Sequence, residues 1–145
     1  RFLDQYFEKL TEIKALMEKV DKYVQKKGYL QTPFKHRRPL PNIYNVDDDY
    51  ARGEASRQAL NTLIQSTSSC WALMALAELN SVLIEGGFGS GIVFMQHASI
   101  TLDVPPGEEK DVTDIAKRIM ENPTRVPFHP RVPMLVSVKS ATHWQ

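Results

Sequence analysis

Arg57, Asn61 and Gln65 recur every four residues in one run of the chain. Residues four apart stack one turn above another, so a helix here would carry three long hydrogen-bonding side chains on a single face. Such a face can donate to acceptors along the edge of a nucleic acid; a merely solvated helix face is the competing reading of the spacing alone. A second group of interest is the triplet His97-Ala98-Ser99, and a third is the basic knot Lys35-His36-Arg37-Arg38, whose guanidinium groups suit phosphate oxygens. The acidic knot Asp47-Asp48-Asp49 invites a metal reading, yet adjacent loop carboxylates point in different directions, and capping of the following helix is the expected role. His129 and His143 lack partners at ligand spacing and read as structural or exposed.

Several elements must position these groups. From Arg1 to Lys27, apolar residues at Phe2, Leu3, Tyr6, Phe7, Leu10, Ile13, Leu16, Met17, Val20 and Val24 follow helical spacing, and Gly28 stops the helix. Pro33, Pro39 and Pro41 predict an extended path without regular helix from Tyr29 to Tyr44. A long helix is expected from Asp49 or Tyr50 through Glu85, bending near Ser66 to Ser69. Its half from Cys70 to Ile84 is so apolar that burial on several sides is expected. Gly86 to Gly91 reads as a flexible connector. Ile92 to Gln96 and Ser99 to Val104 read as two strands joined by His97-Ala98 in a tight hairpin. A third helix is expected over Glu108 to Glu121, with Val112, Ile115, Ile119 and Met120 inward, and a last strand over Met134 to Val138.

Composition sets bounds on this reading. The chain has 145 residues, 42% of them hydrophobic, enough for one domain with a core. With 18 Lys plus Arg against 17 Asp plus Glu, the net charge of +1 makes no whole-chain case for nucleic acid. Any such case is local. The single cysteine, Cys70, allows no internal disulfide and sits in a packed-helix context, which fits reducing conditions. No signal peptide is visible, and no apolar run approaches the ~20 residues needed to cross a bilayer. A soluble, intracellular protein with no membrane partner is expected.

The run Ser56-Arg57-Gln58-Ala59-Leu60-Asn61-Thr62-Leu63-Ile64-Gln65-Ser66-Thr67 resembles the palm helix of family A (DNA polymerase I-like) DNA polymerases, whose usual form is E-R-x-A-x-N-x-P-x-Q-G-T. The stretch Gly28 to Pro41 is similar to that family's G-Y-x-x-T-x-x-G-R-R-R-x-L-P. Gln96-His97-Ala98-Ser99 falls where the family carries V-H-D-E, and Trp144 fits its closing G-x-x-W. The four blocks keep the family's order and cover essentially the whole chain. The resemblance implies an α+β fold: a polymerase palm portion with a small antiparallel sheet, a long palm helix and the end of the fingers helices. It assigns residues 1–45 to the end of the fingers and the basic loop, and 46–145 to the C-terminal part of the palm. The Ser substitutions within the motifs point to a phage or other divergent lineage.

The same resemblance implies template-dependent deoxynucleotidyl transfer to a primer 3′ end by a two-metal mechanism with Mg²⁺. The positions of Arg57, Asn61, Gln65 and His97 would meet the minor groove at the primer terminus, while Lys35, Arg37 and Arg38 would lie along the DNA backbone. His97, Ala98 and Ser99 occupy the catalytic turn. Ala98 stands where the family has its metal-ligating Asp, and a methyl group cannot ligate a hard cation that wants oxygen donors. The chain as written is therefore expected to be inactive, through either a deliberate Asp to Ala change or a natural loss. The family's other metal-binding Asp and its nucleotide-gripping helix match nothing here. The expected partners are accordingly primer-template DNA, a deoxynucleoside triphosphate and an upstream polymerase portion, with this chain a trimmed piece or one half of a split enzyme. A non-catalytic polymerase-like DNA-binding module is the alternative, and a helical scaffold with chance motifs, which predicts no DNA affinity, is a third.

Overall fold

The structure, a computed structural model, describes residues 7–143. The expected helical positions Phe2, Leu3 and Tyr6, and Trp144, lie outside the described residues. The fold is α+β and divides into two compact units, the first ending at Thr67 and the second beginning at Ser68.

In the first unit, residues 7–9 are helical, but Leu10 at φ −117° and ψ 57° interrupts the run, so the long first helix expected from the sequence begins afresh as α1, Thr11–Lys27. Gly28 ends it in the left-handed conformation (φ 71°), its N–H bonded to the Val24 carbonyl at 2.7 Å. A Cβ at this position would also lie 2.9 Å from the outer end of the exposed Tyr44 ring, which would have to shift, but it is the left-handed turn that favours glycine. The next stretch is extended, as the prolines predict, and adds a strand pairing that the sequence pattern did not show. Tyr29–Gln31 (β1) and Arg37–Pro39 (β2) pair antiparallel, Tyr29 opposite Pro39 and Leu30 opposite Arg38, and Pro41–Tyr44 forms a 3₁₀ turn. Pro39 is tolerated because it closes a short strand of a two-stranded ribbon. Strands of three residues are too short to show alternation, which is why the pattern did not reveal them. The core joins Val20, Val24, Leu30, Leu40, Ile43, Ala55 and Ala59.

The long helix expected from the sequence is present as α2, Asp49–Glu85, 37 residues and about 55 Å long at the α-helical rise. Asp48 caps it: its carboxylate accepts the Ala51 N–H at 2.9 Å, and Asp49 in the first turn pairs with Arg52 at 2.6 Å. The acidic knot is thus a capping device. By length and composition α2 is apolar enough to cross a bilayer, which corrects the expectation that nothing approaches such a segment. Core helices of soluble proteins share this composition.

The second unit packs one stripe of α2, Ala75, Leu79 and Leu83, against Val112, Ala116 and Ile119 of α3 (Glu109–Glu121), with Phe88, Leu102 and Val104 around them. Burial on several sides was expected; instead Leu73 and Ile84 remain 54% and 70% exposed, because a single stripe is all that this chain's own elements cover. The connector after α2 begins as a helix cap. Gly87 takes φ 68°, its N–H returns to Ile84 and that of Phe88 to Leu83, a Schellman cap that sends Phe88 into the core. Gly91–Gln96 (β3) and Ser99–Asp103 (β4) form the expected hairpin, with Val93 as a bulge between the Ile92 and Phe94 pairings. Met134–Val138 is no strand. This segment follows two prolines, pairs with no ladder among the described residues, and offers the Val136 N–H to the Glu121 carboxylate instead. The Trp71 indole donates to the Met120 carbonyl at 2.7 Å, fixing α2 to the end of α3.

Candidate nucleic-acid interface

Both polar clusters read from the sequence lie on the surface, one in each unit. In the first, α2 carries Arg57, Asn61 and Gln65 on one face, all exposed. No hydrogen bond among the described residues engages the Asn61 or Gln65 amide. Arg57 is held from behind: its Nε and Nη2 both donate to Glu54 Oε2, at 3.0 and 2.7 Å, and its guanidinium lies 5.8 Å from the centre of the Tyr50 ring. The Arg57 hydrogen bond, then that of Gln58, holds the Glu54 carboxyl below the usual carboxylate value.

The basic knot divides by role. Lys35 sits at the hairpin tip with φ 66°, a left-handed conformation that strains a residue with a Cβ. The resembling motif has glycine here, so the turn keeps the glycine conformation without the glycine. Arg37 stacks over the Tyr29 ring at 5.0 Å with its side chain outward. Arg38 differs: Nη1 donates to Thr62 Oγ1 at 2.6 Å and Nη2 to Gln58 Oε1 at 3.3 Å, so its fork grips α2.

In the second unit, the two-residue turn between β3 and β4 places His97 at φ 55° and exposes His97, Ala98 and Ser99. Ala98 borders a cleft of about 140 Å³ lined by Trp71, Ala75, Met120, Leu135 and Val136. Its methyl matches that apolar lining and offers no oxygen to a cation. Among the described residues no group of three or more His, Cys, Asp or Glu is placed to hold a metal. The base of this hairpin is tied by a residue the sequence reading passed over. The Glu108 carboxylate accepts the Gly89 N–H at 2.9 Å, the Ser90 N–H at 3.0 Å and the Ser90 hydroxyl at 2.6 Å, joining the chain entering β3 to the chain leaving β4. These bonds, the Ser90 hydroxyl first, hold the Glu108 carboxyl below its usual value. Glu54 was also missed, although a carboxylate three residues before Arg57 was there to be read. Gln58 and Thr62 carried no such signal. Of the two histidines, His143 lies beside Thr142, its Nδ1 at 3.3 Å from the hydroxyl.

The sequence model described as DNA polymerase family A matches residues 1–145. DNA polymerase I of Streptococcus pneumoniae serotype 4 is 32% identical over 143 residues, 99% of this chain and 16% of that protein. The DNA polymerase of Bacillus phage SP01 is 37% identical over 121 residues, 83% of this chain and 13% of that protein. Among solved structures, the POL domain of Pol1 from M. smegmatis, in complex with DNA primer-template and dNTP, superposes with a TM-score of 0.85 at 25% identity, over 93% of this chain and 23% of that one. The chain thus spans about a sixth of the length of such polymerase I relatives.

Proposed function

This chain belongs to DNA polymerase family A, and from that premise we propose that it forms the C-terminal fingers and palm portion of a DNA-directed DNA polymerase, residues 1–45 closing the fingers and 46–145 contributing to the palm. The observation that carries this reading is the exposed row of donors Arg57, Asn61 and Gln65 on α2. The minor groove presents acceptors at similar places in all four base pairs, so donors aimed there test pair geometry without reading sequence. His97 on the β3–β4 turn is assigned the same kind of contact, and Lys35 and Arg37 contact phosphate, positioning the duplex. The partners on this reading are primer-template DNA, a deoxynucleoside triphosphate and an upstream portion that covers apolar surface such as Ile13, Leu16, Leu73 and Ile84. Such a protein works inside the cell, in the host cytoplasm if the lineage is that of a phage.

The Mg²⁺ that the family's chemistry implies does not fit this chain as it stands. Ala98 occupies the ligand position with a methyl group, and Ser99 beside it brings a hydroxyl where the family has a carboxylate. We infer that the chain binds DNA and lacks the capacity for transfer, whether Ala98 was introduced or arose naturally. A polymerase-like binding module that performs no chemistry is the second reading, supported by the same methyl group in its apolar cleft.

Primer extension by the Ala98→Asp variant, with the upstream portion and Mg²⁺ supplied, separates the two. Gain of a ligand worth several kcal/mol of transition-state stabilisation predicts an increase of about a thousand-fold or more over the unmodified chain. Duplex binding by both forms with extension by neither establishes the binding module instead.

A further inference from the structure

The side chains of Arg38, Gln58, Glu54 and Arg57 form one continuous relay from β2 to the donor face. Arg38 Nη2 donates to Gln58 Oε1 at 3.3 Å, and Gln58 Nε2 donates to Glu54 Oε1 at 3.3 Å. Glu54 Oε2 accepts both Nε and Nη2 of Arg57. Each link uses a different atom, so no donor is shared between competing partners. The Gln58 amide is engaged at both ends and the Glu54 carboxylate on both oxygens. Arg38 is further fixed by Thr62, whose hydroxyl accepts from Nη1 and donates to the Gln58 carbonyl at 2.7 Å. Two of the N–H donors of the exposed Arg38 fork are thereby committed to acceptors on α2, which fixes the plane of the guanidinium against that helix.

We propose that Arg38 is a positioning residue for Arg57, acting through Gln58 and Glu54, and not a phosphate contact. The proposal rests on the reading that Arg57 meets duplex DNA, and it reassigns one of the two arginines of the basic knot. Arg37, stacked on Tyr29 with its side chain outward, keeps the phosphate role.

The two roles predict different behaviour. Removing a phosphate contact lowers the slope of log K against log salt by roughly 0.9 for duplex DNA. Lysine largely replaces arginine as a point charge but cannot fork between two acceptors. In the chain assembled with its upstream portion, Arg38→Ala and Arg38→Lys should both weaken duplex binding about three- to tenfold with the salt slope unchanged, while Arg37→Ala lowers the slope. In a Gln58→Leu background, Arg38→Ala should have little further effect, since coupled residues are not additive. A reduced slope for Arg38→Ala, or full rescue by lysine, overturns the proposal. A readout without DNA keeps it separate from the binding reading: the Glu54 carboxyl, followed by NMR across pH, should move up toward the ordinary carboxylate value in Arg38→Ala. An unmoved Glu54 titration overturns the relay. Undiminished duplex binding by Arg57→Ala, in contrast, overturns the donor-face reading and leaves the relay to be judged on Glu54 alone.

Discussion

The donor face of α2 and the β3–β4 turn resemble the same family equally well in position, yet they have kept different things. On α2, Arg57, Asn61 and Gln65 are all present, and Arg57 is braced by Glu54. On the turn, His97 remains, but Ala98 and Ser99 carry neither of the two carboxylates of the resembling motif. The contrast follows from how each kind of site works. Groove contacts are spread over several long side chains, each contributing a share, so a neighbour such as Ser56, where the resembling motif has Glu, can differ beside them. A hard cation needs an oxygen at one place, and one methyl group removes it. On the proposed reading, binding and chemistry therefore have different tolerances within one chain.

The thousand-fold gain expected of Ala98→Asp is the widest separation between the two regions. Next comes the core of the second unit, where Leu79 has no solvent exposure. Leu79→Ala should cost about 2–5 kcal/mol in chemical denaturation; a loss below about 1 kcal/mol would mean that the stripe on α2 does not organise that unit. On the donor face, Arg57→Ala should weaken duplex binding about tenfold, the value of one charge-assisted hydrogen bond. Equal binding by the variant would place the recognition surface elsewhere.

Two smaller effects test the hairpins that carry the site residues. Glu108 is held below its usual value by bonds to Ser90 and Gly89, so its contribution is complete above the ordinary carboxylate range and is lost as pH falls through the lowered folded value. Melting followed against pH should show the parent and Glu108→Gln converging at low pH, with the parent a few degrees more stable near neutrality. A gap that is the same at every pH would show that the carboxylate charge is not what ties the hairpin base. The smallest change is expected at Lys35. Its left-handed strain of about 1–2 kcal/mol, set against the greater entropy glycine loses on folding, leaves Lys35→Gly stabilising by roughly 0.5–1 kcal/mol. A destabilised Lys35→Gly would show that the lysine side chain itself holds the turn.

Much of this was open to reading from the chain. The helix over Asp49–Glu85, its capping by the acidic knot, the two-residue turn at His97-Ala98 and the inward set on α3 follow from periodicity and turn chemistry, which are local properties. Family membership likewise followed from four short motifs in order. The β1–β2 ribbon escaped because strands of three residues show no alternation, and the cap after α2 escaped because glycines read as flexible until a core draws in Phe88. The expected strand at Met134–Val138 failed because apolar alternation supplies a face but not a partner ladder.

By itself, then, the sequence determined which residue types stand at the donor face and at the turn, and that the turn carries a methyl group where the resembling motif has a carboxylate, because side-chain identity and spacing along a helix or hairpin are set by the chain alone. Only the tertiary structure decided how those groups are held. Arg38 turned onto Gln58 and Thr62, 20 and 24 residues away, and Glu108 onto Ser90, 18 away, because hydrogen-bond partners far apart in the chain are chosen by packing rather than by spacing.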